Sequence, residues 1–528
     1  MACPDHASSR RVLPLYLASP GVPSNTKDRL VTITDSGVDS APPPSPTRET
    51  ETPSAGKPPK SDDSSKRSVG NAFQALMLRL HFYAGVLVAP FILIAAVTGA
   101  LYAISPTLEN ITSSGLLHTD STGPAKPLKE QVAAAQTVEP NLALVAVAPG
   151  QNTGDTTRVL FSDPALGESE RRAVFIDPVT AQPVGDSVVY GSSGALPLRT
   201  WIDKLHKDLH LGDVGRYYSE IAASWLWLVA LAGLVLWYRR VRARREQRSA
   251  GWLLRPDRSR PRARTLNWHA VVGVWILPVL LLLSVTGMTW SKYAGENVTQ
   301  LRQAMSWTTP AVNAELPGST GPAMPSGGEH DHHGGGMAAA VPPADRAGLV
   351  DTVYGVARAN GLTGPLEISV PAKDGTAFVA QELRRPGQYT RDAIAVDGAT
   401  GNVTDKLPYA DWPLMAKLTN WGIQFHMGLM FGLANQLLLL AIMVGLGTVI
   451  VRGYLMWWRR RPTKERALAV GKAPRRALAR TPLIILVPLA AAAVGTGWFA
   501  PMIGIPLLAF LVIDVLAGVG ARLRATTA

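Results

Sequence analysis

Cysteine is almost absent from this chain of 528 residues, which contains only Cys3. One cysteine cannot form an internal disulfide, and the chain lacks the thiolates that iron–sulfur clusters and thiolate-bound haem require. Charged residues are also scarce, at 17% of the chain, whereas apolar residues make up 47%. The apolar residues must therefore be concentrated in segments, as they are in an integral membrane protein.

Several motifs of common enzyme classes are missing as well. No G-x-G-x-x-G fingerprint follows a predicted strand, so we do not expect the chain itself to bind NAD(P)H or a flavin. The regions outside the apolar runs contain no catalytic triad and no matched carboxylate pair, which argues against hydrolysis. If the protein carries out a redox reaction, a quinol or a separate reductase would have to supply the electrons.

The net charge of +13 comes largely from two arginine-rich stretches. Residues 239–264 contain eleven arginines, and residues 459–480 contain seven arginines and two lysines. Both stretches directly follow an apolar run, where positive charge marks the cytoplasmic side of a membrane and attracts anionic lipid headgroups. We therefore expect membrane lipid as a partner and no nucleic acid.

Apolar runs long enough to cross a bilayer occur six times. They cover roughly residues 80–104, 221–238, 270–290, 433–457, 482–499 and 502–520. With the basic stretches inside, residues 105–218 and 291–420 are expected outside, and both termini are expected in the cytoplasm. The first run is expected to act as an uncleaved membrane signal, because no cleavable leader precedes it.

Two segments of the chain recur with a histidine at the same place. The first segment contains Leu-x-x-His followed by Gly-Val, Pro and Val-Thr-Gly. Its histidine is His81 in the first copy and His269 in the second copy, 188 residues later. The second places a histidine before an inward-running span, at His206 and again at His426, 220 residues later. The sequence therefore indicates a two-fold internal repeat followed by a C-terminal hairpin.

These four histidines are candidate axial ligands of two haem b groups. Neutral imidazole is a usual ligand of haem iron, and facing helices of a bundle can hold a cofactor between them. We expect His81 and His269 to bind an inner haem, and His206 and His426 to bind an outer one. His210 is an alternative to His206, since residues four apart share a face of a helix.

Two glycines favour the inner site. Gly85 and Gly273 each lie four residues after the histidine, where the missing side chain leaves room for a flat macrocycle. The alternatives stay open: small residues also permit close helix packing in membranes, and a histidine can simply lie at the headgroups. Arg79, Arg264 and Arg216 are candidates to pair with haem propionates or are interfacial charges.

A short histidine-rich tract is a candidate metal site. His330, His332 and His333 lie in a Gly- and Pro-rich linker. Such a tract binds transition metals loosely, or it is a loop with incidental affinity.

Each outer segment has an α+β pattern. Residues 128–136 and 346–360 have helical character, and strands are expected at residues 143–148, 157–161, 366–370 and 377–381. Both segments close on a strand followed by Asp-x-x-Thr, at Asp177 and at Asp397, which is typical of a hairpin turn.

The combined motifs resemble the PepSY-associated transmembrane family over roughly residues 74–462. The resemblance rests on the Arg-Leu-His segment at His81, the Leu-His-Lys-Asp-Leu segment at His206 and the hairpin at Asp397. The resemblance implies a bacterial inner-membrane protein. Some members of the family are similar to ferric-siderophore reductases that hold two b haems in a four-helix bundle. The implied substrate is a ferric siderophore or another ferric chelate. A membrane-tethered PepSY regulator or sensor and a metal or haem transporter are the alternatives.

The expected fold is an integral membrane protein, mainly α, with a four-helix bundle from a two-fold repeat, a C-terminal two-helix hairpin and two small α+β PepSY-like outer domains. The expected boundaries are 1–70 (disordered cytoplasmic tail), 74–104 (first span), 105–200 (first outer domain), 201–240 (outer histidine segment and second span), 241–265 (basic loop), 266–290 (third span), 291–410 (second outer domain with the histidine-rich linker), 411–461 (outer histidine segment and fourth span), 462–480 (basic loop) and 481–528 (hairpin).

Overall fold

The computed structural model of the protein describes residues 61–244, 261–317, 344–459 and 483–526. The helices in these ranges are α1 (Ser61–Leu87), α2 (Ala89–Thr112), α3 (Ser114–Leu117), α4 (Leu128–Val138), α5 (Pro197–Asp208), α6 (Asp213–Arg244), α7 (Pro261–Thr289), α8 (Tyr293–Ala304), α9 (Ala344–Ala347), α10 (Val350–Ala359), α11 (Leu414–His426), α12 (Leu433–Trp458), α13 (Leu483–Phe499) and α14 (Pro501–Thr526). The strands are β1 (Ala143–Ala148), β2 (Thr157–Ser162), β3 (Glu170–Ile176), β4 (Pro183–Tyr190), β5 (Leu366–Ser369), β6 (Phe378–Glu382), β7 (Ala393–Val396) and β8 (Val403–Leu407).

Four helices form the membrane bundle. Within the described ranges α2, α6, α7 and α12 contain the stretches that are long and apolar enough to cross a bilayer. Helix α12 packs on α2 and α7, α6 packs on α7, and α1 packs on α6. Large apolar side chains such as Val97, Val285 and Val444 are more than half exposed on this bundle. A lipid environment accounts for that exposure, because lipid tails are as apolar as these side chains.

The first predicted span is divided by a proline. Helix α1 ends at Leu87 and α2 begins at Ala89, next to Pro90. Proline has no backbone N–H, so one hydrogen bond of the helix is missing there. Val88 keeps helical backbone angles, and the Ile92 N–H donates to the Val88 carbonyl at 3.1 Å, so the two helices form one kinked rod.

The predicted tail of residues 1–70 is too long by ten residues. Helix α1 already begins at Ser61. The last proline of the tail is Pro59, and the Asp residues at the start of α1 lie where the helix dipole favours negative charge. The rest of the predicted tail lies outside the described residues.

The two C-terminal apolar runs form α13 and α14, and α13 has only 17 residues. The hairpin packs against the bundle through α6. The Trp225 indole N–H donates to the Met502 carbonyl at 2.8 Å, and the Asn297 amide donates to the Phe499 carbonyl at 2.8 Å. A Cβ atom at Gly497 would lie 2.9 Å from the Cα of Gly504, so glycine is required where the two helices touch.

The strands of both outer segments form one antiparallel sheet rather than two separate sheets. Its strand order is β4-β3-β2-β1-β5-β6-β7-β8, and β1 pairs with β5 at Val147 and Ile368. The pairing removes two open strand edges, which are otherwise prone to associate with other chains. Helices α4 and α10 cover one face of the sheet around a shared core that includes Val147 and Ile368. The two outer domains expected from the sequence are therefore one folded unit.

The predicted hairpin turn at Asp177 is confirmed between β3 and β4. Its carboxylate accepts hydrogen bonds from the Ser121 and Thr119 hydroxyls and from the backbone N–H groups of Val179 and Thr180. Burial alone would raise the pKa of Asp177, but these hydrogen bonds outweigh it and lower the pKa to about 2. The ionised carboxylate therefore stabilises the folded state.

We expect Asp177→Asn to lower the free energy of unfolding at pH 7 by about 1–2 kcal/mol. Because the folded-state pKa is depressed, this stability is present above the unfolded pKa of about 4 and is lost as the pH falls towards about 2. Chemical denaturation of the detergent-solubilised chain at pH 7 and at low pH measures the difference. The exposed neighbour Asp120→Asn is the control, and equal effects of the two substitutions at pH 7 would contradict the prediction.

Candidate functional site

The structure brings the four predicted histidines together in two pairs. The ring centres of His81 and His269 are 6.1 Å apart, and those of His206 and His426 are 6.5 Å apart. All four rings are half-buried. We call His206 and His426 the proximal pair, because their helices lie next to the sheet, and His81 and His269 the distal pair.

Backbone carbonyls orient the distal pair. The Nδ1 atom of His81 lies 2.9 Å from the Val229 carbonyl oxygen on α6, and Nδ1 of His269 lies 2.9 Å from the Val449 carbonyl oxygen on α12. A carbonyl oxygen can only accept, so Nδ1 carries the proton in both rings. The Nε2 atom of each ring is thereby left with a free lone pair.

Threonine hydroxyls orient the proximal pair. Nδ1 of His206 lies 2.9 Å from the Thr98 hydroxyl, and Nδ1 of His426 lies 2.7 Å from the Thr286 hydroxyl. Each hydroxyl also donates to a carbonyl one turn earlier in its own helix, at 2.9 Å from Thr98 and 2.8 Å from Thr286. Each hydroxyl oxygen can therefore accept from the imidazole N–H, which again leaves Nε2 free.

Four glycines lie against the imidazole rings, and two of them, Gly233 and Gly99, leave no room for a Cβ atom without a shift of the ring. A Cβ atom at Gly233 would lie 2.9 Å from the His81 ring, and one at Gly453 would lie 3.6 Å from the His269 ring. The corresponding distances are 3.1 Å from Gly99 to His206 and 3.7 Å from Gly287 to His426. Sequence reasoning did not assign these glycines to the site, although all four lie in the repeated segments and could have been found there.

The predicted glycines Gly85 and Gly273 have a different environment. A Cβ atom at either position would meet no atom within 4 Å. Each glycine follows its distal histidine by one helical turn and therefore faces the same side of the helix. The space beside the distal pair is open at both positions.

Aromatic rings flank the proximal pair at equivalent positions. Tyr102 stacks on His206 with ring centres 6.2 Å apart, and Trp290 meets His426 edge-on at 5.4 Å. The Arg216 guanidinium donates to the Trp290 carbonyl at 2.6 Å. Arg79, two residues before His81, is buried, whereas Arg264 is exposed.

His210 does not join either pair. Helix α5 ends at Asp208, and Leu209 and His210 both adopt left-handed backbone angles. His206 and His210 therefore do not share a helix face, and the prediction that relied on that spacing is wrong. The His210 side chain is exposed and packs on Trp201 with ring centres 4.9 Å apart.

The two pairs lie at different depths in the bundle. On α7, the distal His269 and the proximal-site Thr286 are separated by 17 residues, which corresponds to about 26 Å along a helix. The hydrocarbon core of a bilayer is about 30 Å thick. The pairs therefore lie towards opposite ends of the spanning segments.

The donor sets fit a haem b group at each pair. A ligating histidine usually donates its second ring N–H to an oxygen acceptor, as all four do here. Metal–imidazole bonds are about 2 Å long, so two imidazoles on opposite sides of one metal ion have ring centres roughly 6 Å apart. Both pairs have this separation, and the open space at Gly85 and Gly273 adjoins the distal one.

Other kinds of metal site are less well supported. In the ranges that the structure describes, no group of three or more His, Cys, Asp or Glu side chains could hold a metal ion. His330, His332 and His333 lie outside those ranges, and so do most of both arginine-rich stretches.

Comparison with known families supports the range expected for the family resemblance. A family model described as PepSY-associated TM region matches residues 78–460. No curated protein matches the chain. The matched range includes both histidine pairs and the whole sheet, and it ends before α13.

Proposed function

The chain belongs to the family described as PepSY-associated TM region, and we propose that it is a haem-containing transmembrane electron-transfer protein. It reduces a ferric complex, such as a ferric siderophore, on the sheet side of a bacterial inner membrane. In this proposal His81 and His269 hold one haem b, and His206 and His426 hold the other. The sheet is extracytoplasmic, and both termini are cytoplasmic.

The observation that carries the proposal is the repeated histidine geometry. In each pair the two ring centres lie 6.1 or 6.5 Å apart, and each ring is fixed through Nδ1 by an oxygen acceptor, which leaves its Nε2 lone pair available to a metal ion. A tethered regulator does not require this arrangement twice at two depths. A transporter is less consistent with it, because transporter sites usually lie near the midplane at broken helices.

The chain's own residues determine where and how the cofactors are held. Haem b supplies one-electron redox chemistry at each pair. The carbonyls of Val229 and Val449 and the hydroxyls of Thr98 and Thr286 keep the histidines in one tautomer and orientation. The surrounding apolar helices exclude water, and the two depths provide a path for electrons across the membrane.

The proposed reaction on the sheet side is the reduction of Fe³⁺ to Fe²⁺ by one electron. Siderophores hold Fe³⁺ through hard oxygen ligands, whereas Fe²⁺ is softer and is held more weakly. Reduction therefore releases the metal. A quinol or a separate reductase supplies the electron on the other side.

The reductase activity is tested by reoxidation of the reduced protein. Detergent-purified chain is reduced with stoichiometric dithionite under nitrogen and mixed with ferric citrate in a stopped-flow spectrometer. We expect the reduced visible bands to disappear and Fe²⁺ to form with matching stoichiometry, as detected by ferrozine. A reduced spectrum that persists with several ferric chelates would contradict the reductase function, even if haem is bound.

The hydrogen bond from His206 to Thr98 allows a separate test of the proximal site. We expect Thr98→Val to weaken haem binding at this pair by about tenfold or more, because loss of such a ligand-orienting partner typically has this effect. Titration of haem into the haem-depleted chain measures it. Thr112→Val on the same helix is the matched control, since within the described ranges the Thr112 hydroxyl bonds only to the Leu108 carbonyl. Equal affinities of the two variants would argue against the role of Thr98.

A further inference from the structure

The sheet face opposite α4 and α10 carries a group of charged residues at its centre. Arg158 of β2 lies on the same face as Phe175, with its guanidinium 5.4 Å from that ring. The Arg171 guanidinium of β3 donates two hydrogen bonds to the Glu367 carboxylate of β5, at 2.9 and 3.2 Å. Flanking apolar residues pack this face against α3 and the start of α5. The charged centre therefore faces the bundle end that holds the proximal pair.

The bundle contributes a further arginine to the same region. Arg199 of α5 is 3% exposed, and its Nη1 atom lies 3.8 Å from a carboxylate oxygen of Glu109 on α2. Its Nε and Nη2 atoms have no hydrogen-bond partner among the described residues. The other oxygen of Glu109 accepts from the Leu196 N–H at 2.6 Å. Glu109 therefore engages only one nitrogen of the Arg199 guanidinium.

A third arginine, Arg385, follows β6. The guanidinium of its neighbour Arg384 donates to the Ser192 hydroxyl at 3.4 Å, in the loop whose Gly194 carbonyl accepts from Arg158 at 3.0 Å. Within the described ranges the Arg385 side chain makes no hydrogen bond and no ion pair. Burial and the nearby charge of Arg199 lower the pKa of Arg385, and burial and the charge of Arg385 lower the pKa of Arg158 to about 9. Guanidinium groups stay protonated in proteins, and both residues keep part of their surface accessible.

The region carries more positive than negative charge. Glu367 is engaged by Arg171, and Glu109 is shared between Arg199 and a backbone N–H. Among the described residues neither Arg158 nor Arg385 forms an ion pair with a carboxylate. Burying guanidinium groups without a counter-ion is costly, so a negatively charged group would stabilise this arrangement.

The arginines lie directly beyond the proximal pair. Arg199 precedes His206 by seven residues on α5, which is two turns along the same helix face and about 10 Å. Tyr102 contacts the His206 ring from α2. A ligand held by the arginines would therefore be close to the site where electrons leave the bundle under the proposed function.

We infer that Arg158, Arg199 and Arg385, which we call the arginine site, bind carboxylate groups of an anionic ligand between the sheet and the bundle. Guanidinium groups form bidentate hydrogen bonds with carboxylates, which suits this ligand class. Two sources of the carboxylates fit the location: a soluble ferric chelate with carboxylate arms, or the propionates of the cofactor at the proximal pair. The first source depends on the proposed reductase function.

The test uses gallium(III) citrate, a redox-inert probe, with the full-length purified chain. Isothermal titration is carried out on the wild type, Arg385→Gln, Arg158→Gln and Arg172→Gln, and haem content is measured on the same samples. Arg172 lies on the opposite face of the sheet and pairs with Asp163, so it is a control of equal charge change. Arg385→Gln removes no hydrogen bond and no ion pair within the described ranges, so its folding should be preserved.

We expect the wild type and Arg172→Gln to bind gallium citrate, and the two arginine-site variants to bind it about tenfold more weakly or worse. Unchanged haem content would then assign the site to a soluble chelate. If gallium citrate binding is absent or unaffected, but both variants lose haem from the proximal pair or shift its midpoint potential, the carboxylates belong to the cofactor. If neither binding nor haem properties differ from Arg172→Gln, the inference is overturned. Citrate binding does not require bound haem, so failure of this inference and failure of the proposed function give different results.

Discussion

Replacement of His81 or His269 by alanine is expected to reduce bound haem from about two groups per chain to about one. In the proposed function each distal ring would supply one of two haem ligands, and its partner ring could not replace it. His206→Ala and His426→Ala should remove the other haem and leave the distal one. Pyridine haemochrome analysis of each purified variant measures the stoichiometry, and the reduced spectra identify which haem remains.

The control for these variants is His118→Ala. His118 is exposed on the sheet side, where its Nδ1 atom lies 3.2 Å from a carboxylate oxygen of Asp155, and it belongs to neither pair. Its replacement should leave both haems bound. If all five variants retain the same haem content, the histidine pairs are not haem ligands. The geometry implies two independent sites. Loss of both haems in each single variant would contradict that independence.

The second large effect is expected at Gly85 and Gly273. Leucine at either position extends into space that no protein atom occupies within 4 Å of the Cβ position, so the fold should tolerate it. If the distal haem lies in that space, the added side chain displaces it. We therefore expect Gly85→Leu and Gly273→Leu to lose most of the distal haem while keeping the proximal one.

Gly495→Leu is the matched control for this prediction. Gly495 lies on α13, and a Cβ atom there also has no neighbour within 4 Å. The control and the two test variants should elute alike in gel filtration, whereas only the test variants should lose haem. Full haem content in Gly85→Leu and Gly273→Leu would show that the open space belongs to lipid rather than to the cofactor.

Much of the site could be predicted from the sequence, because the repeat itself carries the information. A histidine that recurs in register on two helices predicts that the two rings lie at the same depth, and the structure places them 6.1 and 6.5 Å apart. The predicted strand at residues 143–148 is also confirmed, since β1 has these ends. Alternating apolar residues and the Asp-x-x-Thr turn are local signals.

Features that depend on distant backbone contacts could not be predicted. The acceptors for His81 and His269 are backbone carbonyls of Val229 and Val449, and every residue has a carbonyl group. The pairing of β1 with β5 joins segments more than 200 residues apart without a motif for it. The prediction for His210 was wrong because it assumed a continuous helix. Helix α5 ends at Asp208, and the next two residues have left-handed backbone angles.

The arginine site is a further case of long-range assembly. Arg158, Arg199 and Arg385 come from β2, α5 and the segment after β6, and no sequence spacing relates them. Only the joined sheet and the position of α5 bring them to one region. Charge balance in the folded structure, rather than a motif, identifies the site.

The proposed function requires bound haem. The decisive measurement is the visible absorption spectrum of the detergent-purified chain, oxidised and then reduced with dithionite, together with its haem content. We expect a Soret band that shifts on reduction, sharp α and β bands, and about two haem b groups per chain, as two pairs of axial histidines require. A chain that stays colourless after expression with ample haem would contradict the account and leave the histidines with another role.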